Sequence, residues 1–286
     1  MSILVNKSTR LLIQGITGRE GLYHAQKMLL SGTSIVAGVT PGKGGEWMIG
    51  GKIPVFDSVH LAYEISGANA ALVFVPAHTA PDAIFEAADA GVPLIICITE
   101  GIPIYQMLRI NAYLKQKGIR LIGPKSPGII SPGECCAGII PPEVSSPGNI
   151  GVVSRAGTLT FTILENLKQA GLGVSTCVGI GSDPIIGTSF KDILEMFEAD
   201  PHTEKVVLVG EIGGKDEEEA ASYIPQMTKP VCAYIAGLTA QANKRYGHAG
   251  AIIERGAGLA VDKNLSLVAA GVRMARHPEE LPELLS

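Results

Sequence analysis

Apolar residues in this chain arrive in short unbroken runs instead of strict alternation. The runs at 11–14, 35–39, 70–75, 94–98 and 120–122 predict strands covered on both faces, as in a parallel sheet flanked by helices. Between them, 20–31, 79–90 and 103–117 repeat apolar positions at helical spacing and predict helices. The rhythm pauses after Gly123 in a Pro/Gly-rich stretch, 124–148, and then resumes. Strands are expected at 150–153, 174–178, 206–209 and 231–235, and helices at 157–169, 189–198, 216–226 and 264–276. Two α/β domains follow, 1–123 and 149–286, joined by a connection at 124–148 that is too apolar for a flexible Gly/Ser tether and is expected to be ordered. The same alternation disfavours a β-sandwich or a helix bundle.

Composition narrows the function classes. The chain has 286 residues, 46% of them hydrophobic, which is ample for buried cores. Its 23 basic and 27 acidic residues give a net charge of -4, without the polybasic surface that nucleic acid demands. No charged prefix with a hydrophobic signal core opens the sequence and no apolar run reaches membrane-spanning length, so a soluble cytoplasmic protein is expected. Cys97, Cys135, Cys136, Cys177 and Cys232 form neither a CxxC pair nor a disulfide framework. Cys97, Cys177 and Cys232 lie in strand-like runs and are expected to be buried, whereas Cys135 and Cys136 lie in a turn-rich stretch that allows exposure. His24, His60, His78, His202 and His277 read as structural or solvated, and no multi-histidine metal motif exists, so no residue is assigned to a metal.

Candidate chemistry begins where the first predicted strand ends, at Gln14-Gly15-Ile16-Thr17-Gly18-Arg19-Glu20-Gly21. Glycines there permit a tight turn and close approach of a phosphate, and the following helix directs free N–H groups toward an anion. Thr17 adds a hydroxyl, and Arg19 and Lys43 add positive charge. A redox dinucleotide site is disfavoured by the Gly-x-x-Gly-x-x-Gly spacing and by the absence of an acidic residue after Val39. A phosphate-bearing ligand and a merely structural glycine turn both remain open. The loops at Pro76 and at Thr99-Glu100 follow strands and can lie along the same sheet edge, covering an adenine or serving as plain turns.

The second half carries its own set. Ser154-Arg155-Ala156-Gly157-Thr158 lies at a strand-to-helix turn, with a phosphoryl cradle and a structural helix cap equally open. Gly179-Ile180-Gly181-Ser182-Asp183-Pro184 is a similar turn. His248 stands among small residues, in Tyr246-Gly247-His248-Ala249-Gly250-Ala251, with nucleophilic, ligand-binding and structural roles all open. Glu211, immediately beyond a buried strand, can accept the proton of one ring nitrogen of His248 and direct the other nitrogen at phosphorus.

Taken together these segments resemble the alpha subunits of succinate–CoA ligases, within the NDP-forming acyl-CoA ligases. The resemblance spans essentially the whole chain and rests on Gln14 to Gly18, Gly38 to Gly45, Ile98 to Pro103, Ser154 to Leu159, Gly210 to Gly214 and Lys244 to Ile253. It implies a Rossmann-like CoA-binding domain followed by a flavodoxin-like ligase domain. It further implies that Gly15, Thr17, Gly18, Arg19, Glu20, Lys43, Pro76, Thr99 and Glu100 serve CoA, that His248 is the phosphorylated histidine and that Glu211 orients it. Ser154, Arg155, Gly157, Thr158, Phe161 and Lys125 would then serve phosphate and the acid substrate. A beta subunit with an ATP-grasp domain would supply ATP or GTP with Mg2+, in an alpha-beta heterodimer or an alpha2-beta2 heterotetramer.

Departures from the usual family pattern fall in the active-site segments. Lys125-Ser126 replaces an Asn-Cys pair, Ala156 replaces a serine and Phe161 a tyrosine, Ser182 stands where a second glycine is common, and Ala242-Asn243 replaces Lys-Gly. An altered acid pocket is therefore an expectation, with citrate or malate as alternatives to succinate and Lys125 as the added cation. The reading from a different class is a non-catalytic CoA-responsive binding protein, which would need no phosphorylated His248.

Overall fold

The computed structural model describes residues 2–241, 246–247, 250–253 and 258–285. Its contacts divide the chain into two compact units, one of Leu4–Ile140 with Ile185–Gly187 and the other of the remaining described residues.

The first unit runs β1 (Arg10–Gln14), α1 (Arg19–Leu30), β2 (Ser34–Val39), β3 (Trp47–Met48), β4 (Ile53–Phe56), α2 (Val59–Ser66), β5 (Ala70–Val73), α3 (Ala80–Asp89), β6 (Leu94–Cys97), α4 (Ile104–Lys117) and β7 (Arg120–Ile122), then the hairpin β8 (Gly128–Ser131) and β9 (Cys135–Gly138). Its sheet is ordered β3-β4-β2-β1-β5-β6-β7, parallel except where β3 meets β4. Without the short β3, this order is that of a Rossmann sheet, which reverses direction of winding at β1 and β5. Gln14 is in register with Val39 on one side and Val73 on the other, so three strand ends finish together at the point of reversal. The apolar runs are buried as their composition requires; Ala70–Val73 and Leu94–Cys97 are covered at every residue.

The hairpin corrects the expectation for Cys135 and Cys136. Both thiols are buried in β9. Cys136 exchanges hydrogen bonds with Thr33, whose hydroxyl accepts from its N–H at 2.9 Å and donates to its carbonyl at 2.8 Å. The stretch around residue 135 is thus packed into the first unit, whose main span ends at Ile140 and takes in much of the 124–148 connection. Burial pushes the Cys135 thiol up to about 11, which suppresses the reactive thiolate at neutral pH. We expect all five cysteines, each buried, to resist iodoacetamide at pH 8 in the folded protein and to react fully in denaturant. Mass spectrometry of tryptic peptides checks this, and rapid native labelling of Cys135 would contradict it.

The second unit runs β10 (Pro147–Ser154), α5 (Thr158–Gln169), β11 (Val174–Gly179), α6 (Phe190–Ala199), β12 (Lys205–Glu211), α7 (Asp216–Tyr223), β13 (Val231–Ala236), α8 (Ala260–Ala269), β14 (Arg273–Met274) and α9 (Leu281–Leu284). Strands β11-β10-β12-β13-β14 lie side by side in parallel, the winding order of a flavodoxin-like sheet. Ser154 faces Gly179 on one side and Val209 on the other, which again aligns strand ends at the reversal point. The helix predicted at 264–276 is corrected: α8 ends at Ala269, Gly271 turns the chain at φ +87°, and β14 follows. Among the described residues no helix is long and apolar enough to cross a membrane.

Candidate functional site

At the reversal point of the first sheet, the β1–α1 turn is built by two glycines for two reasons. Gly15 adopts φ +86°, where only glycine is unstrained. Gly21 lies over the same turn, and a Cβ there would collide with the Gly15 carbonyl oxygen. The N–H of Gly15 donates to Val39 at 2.9 Å and that of Gly18 to Gly15 at 3.0 Å, which fixes the turn. Gly18 caps α1 without a side-chain hydrogen bond, so the helix opens with backbone donors directed at whatever lies before it.

Before it lies a cavity of about 720 Å³ with largely apolar walls. Gly15, Gly18, Arg19, Glu20 and Pro76 line it, which unites five of the residues singled out in the sequence. Gln14, Thr40, Phe74, Thr79, Asp82 and Glu86 also line it. Of these, Gln14 was open to notice as the last residue of a strand; its amide donates to the Ala83 carbonyl at 2.9 Å and ties α3 to the turn. Uncapped helix donors beside an apolar slot suit a ligand that combines phosphate with a flat apolar group.

Other residues expected in this region lie off the cavity walls. Thr17 donates to the Thr40 hydroxyl at 3.2 Å. The Lys43 ammonium is 3.9 Å from Glu46, and the Thr99 hydroxyl donates to the Val75 carbonyl at 2.6 Å. Glu100 and Lys125 form an ion pair at 3.0 Å. Lys125, which the sequence reading gives to the acid substrate, is thus paired with a carboxylate of its own unit. Arg19 is 93% exposed and pairs with Glu20 at 3.0 Å, so its guanidinium costs little to redirect.

The second unit brings a different set together. Arg155 is buried, donates to Asp216 at 2.8 Å and lies 3.7 Å from the Glu211 carboxylate. Glu211 ends β12, and its N–H donates to the Glu217 carboxylate at 3.1 Å. Gly213, at φ +90°, leaves no room for a side chain, because a Cβ would collide with the carbonyl oxygen of Gly250. Gly250 is equally constrained by the carbonyl of Ser182. The turns after β11 and β12 thus meet the chain just beyond position 248. Tyr246 and Ala251 bracket that position with a hydrogen bond from N–H to carbonyl at 3.2 Å. His248 lies outside the described residues, as do 242–245, 249 and 254–257.

Beside these, the β10–α5 turn exposes Gly157 and Thr158, and α5 starts at Gly157 without a side-chain cap. Its backbone donors are the anion-facing feature of this turn. Ser154, expected to contact a phosphoryl group, is instead fully buried: its hydroxyl accepts from Thr160 at 2.6 Å and donates to the Ala156 carbonyl at 3.3 Å. Phe161, in the first turn of α5, is half-buried. Among the described residues, no cluster of three or more His, Cys, Asp or Glu is arranged to hold a metal ion.

Comparison with known proteins places these two turns in context. The CoA binding domain family matches residues 6–101, and the CoA-ligase family matches residues 153–273. The succinate–CoA ligase [ADP-forming] subunit alpha 2 of Archaeoglobus fulgidus is 54% identical over 286 residues, spanning 100% of this chain and 99% of that protein. The corresponding alpha subunit of Aquifex aeolicus is 50% identical over 289 residues, spanning 100% of this chain and 94% of that one. Among solved structures, an ATP citrate lyase from Methanothrix soehngenii in complex with citrate and coenzyme A superposes with a TM-score of 0.86 at 22% identity. It covers 99% of this chain, which spans only 51% of that longer one, and at this identity the likeness is one of fold.

Proposed function

We infer the function from one premise: this chain belongs to the family of succinate–CoA ligase alpha subunits. It is the alpha subunit of an NDP-forming ligase that interconverts succinate, CoA and nucleoside triphosphate with succinyl-CoA, nucleoside diphosphate and phosphate. The observation that carries this reading is full-length identity of 54% to a named alpha subunit, extending across both family matches. The ADP-forming relatives favour ATP over GTP.

In this reading the cavity at the β1–α1 turn takes CoA. The uncapped start of α1 holds a phosphate, and the apolar walls near Val75 and Pro76 take the adenine. Gly15, Thr17, Gly18, Arg19 and Glu20 form the turn region, with Lys43, Thr99 and Glu100 reached by the remainder of a long ligand. Replacement of Gly21 by valine drives its side chain into the Gly15 carbonyl and deforms the turn. We expect CoA affinity to fall at least tenfold, about 1.4 kcal/mol, by calorimetry; unchanged affinity would remove this turn from the CoA site.

His248 takes the γ-phosphoryl group of the nucleotide on one ring nitrogen and releases the nucleoside diphosphate. Glu211 accepts the hydrogen bond of the other nitrogen and favours the tautomer that attacks phosphorus. A succinate carboxylate oxygen then attacks that phosphorus and frees the histidine, and the CoA thiolate displaces phosphate from the acyl carbon. The exposed donors at Gly157 and Thr158 stabilise the transferred charge, and buried Arg155 holds the Glu211 carboxylate side of the cradle. Nucleotide and Mg2+ belong to a beta subunit with an ATP-grasp domain, in an alpha-beta or alpha2-beta2 assembly.

The full-length relatives named for succinate favour that acid over citrate or malate. The test uses the alpha chain co-purified with its beta partner, incubated with Mg2+ and γ-labelled ATP or GTP. Acid-labile label at His248 is expected, discharged by succinate plus CoA with formation of succinyl-CoA. Discharge by citrate or malate in preference would overturn the assignment of succinate. CoA binding without histidine phosphorylation would favour a non-catalytic role.

A further inference from the structure

We propose that the buried Lys263–Glu217 ion pair is the positioning element of the Glu211 turn, fixing the surface against which Gly250 lies. This deepens the reading of His248 as the phosphorylated residue and rests on it. Both side chains are fully buried and in direct contact. They come from different helices, Glu217 from the first turn of α7 and Lys263 from the first turn of α8. A buried ion pair is a poor source of net stability, because desolvation of two charges offsets most of their attraction. What these two charges do instead is visible in their other bonds.

Lys263 donates to the Gly213 carbonyl at 2.7 Å, and Glu217 accepts the Glu211 N–H at 3.1 Å. The pair therefore grips the turn at both ends, one residue from α7 and one from α8. Gly210 is needed for the grip, since a Cβ there would lie 2.6 Å from the Glu217 carboxylate. The Gly213 N–H is held in turn by the Gly258 carbonyl at 2.8 Å. Gly213 so anchored presents the bare surface against which Gly250 lies, two residues after His248. Glu211, two residues before Gly213, receives its backbone position from the same pair. Neither Lys263 nor Glu217 needs to touch a substrate; each acts through the turn.

The test compares two variants in the intact complex with the beta subunit, per folded molecule by thermal melting. Glu217→Gln keeps one acceptor for the Glu211 N–H but turns the oxygen facing Lys263 into a second donor, leaving the Glu218 carboxylate 3.8 Å from the ammonium as counter-charge. The double variant Glu217→Gln, Lys263→Met removes both charges together and deprives Gly213 of its donor. Single-turnover labelling of His248 from γ-labelled ATP at saturating concentration is expected to fall at least tenfold in the double variant. It should fall at least tenfold in Glu217→Gln as well, with the KM for ATP and the Kd for CoA within twofold in both. Wild-type labelling in either variant, or a loss accompanied by an equal shift in the KM for ATP or the Kd for CoA, overturns the positioning role alone. Absence of label in the wild-type complex overturns the phosphohistidine reading, and the proposal with it.

Discussion

Replacement of His248 by asparagine is expected to abolish histidine phosphorylation and to lower the overall forward rate by at least about 10⁴-fold, as loss of a covalent nucleophile does in enzymes whose other groups act through it. Asparagine keeps a polar side chain of similar reach but has no ring nitrogen to carry the phosphoryl group. CoA affinity should be retained within about twofold, because the turn assigned to CoA lies in the first unit. A coupled assay of succinyl-CoA formation, run beside calorimetry with CoA, checks both parts. Substantial turnover by the variant would remove His248 from the mechanism; loss of CoA binding as well would show a folding defect.

The largest expected effect on stability comes from Lys263→Met with Glu217 left in place. Removing one member of a buried pair strands the other charge, a loss of about 3–5 kcal/mol. Burial already works to raise the Glu217 carboxyl above its ordinary value of 4.5, opposed by Lys263 and Arg155. Without the ammonium the opposing attraction shrinks and the carboxyl rises further. A carboxyl raised on folding binds more protons folded than unfolded, so its contribution is favourable at low pH and is lost as pH rises through the folded-state value. The deficit of the variant relative to wild type should therefore widen as pH rises through the wild type's own raised folded-state value, up to the still higher value of the variant. Urea unfolding at several pH values measures it, and a deficit below about 1 kcal/mol at neutral pH would show that the site admits water.

Much of the fold was legible because the central strands are buried on both faces and so carry unbroken apolar runs, as in 94–98. The hairpin at 128–138 escaped because Cys135–Gly138 has no apolar pattern of its own. Its burial depends on residues about a hundred positions away, including Thr33 and Met28. Helix α2 was missed although Ser58 and Gly67 mark its ends, Ser58 by accepting from the Leu61 N–H and Gly67 by its left-handed backbone. The extended helix prediction at 264–276 overran a stop that Gly271 supplies.

The candidate sites divide in the same way. Gly15 and Gly18 were legible because turn geometry restricts residue type, and both line the cavity. Ser154 is ambiguous in the sequence because a hydroxyl at a helix start satisfies either a ligand or its own turn, and in the fold Thr160 donates to it. Glu217 and Lys263 were not noticed at all. The run Asp216 to Glu219 reads as a solvated acidic helix start, and only the packing of α7 against α8 selects which carboxylate turns inward.

The contact between Gly213 and Gly250 also bears on how this sequence can drift. At most buried positions a neighbour can shrink when a residue grows, but a side chain at Gly213 meets the backbone carbonyl of Gly250 and one at Gly250 meets that of Ser182, and a carbonyl has no atoms to give up. Each glycine is therefore held by backbone that no substitution in a neighbouring side chain can move aside. A library of random variants selected for growth on this enzyme should return alanine at neither position, however many compensating changes accumulate elsewhere.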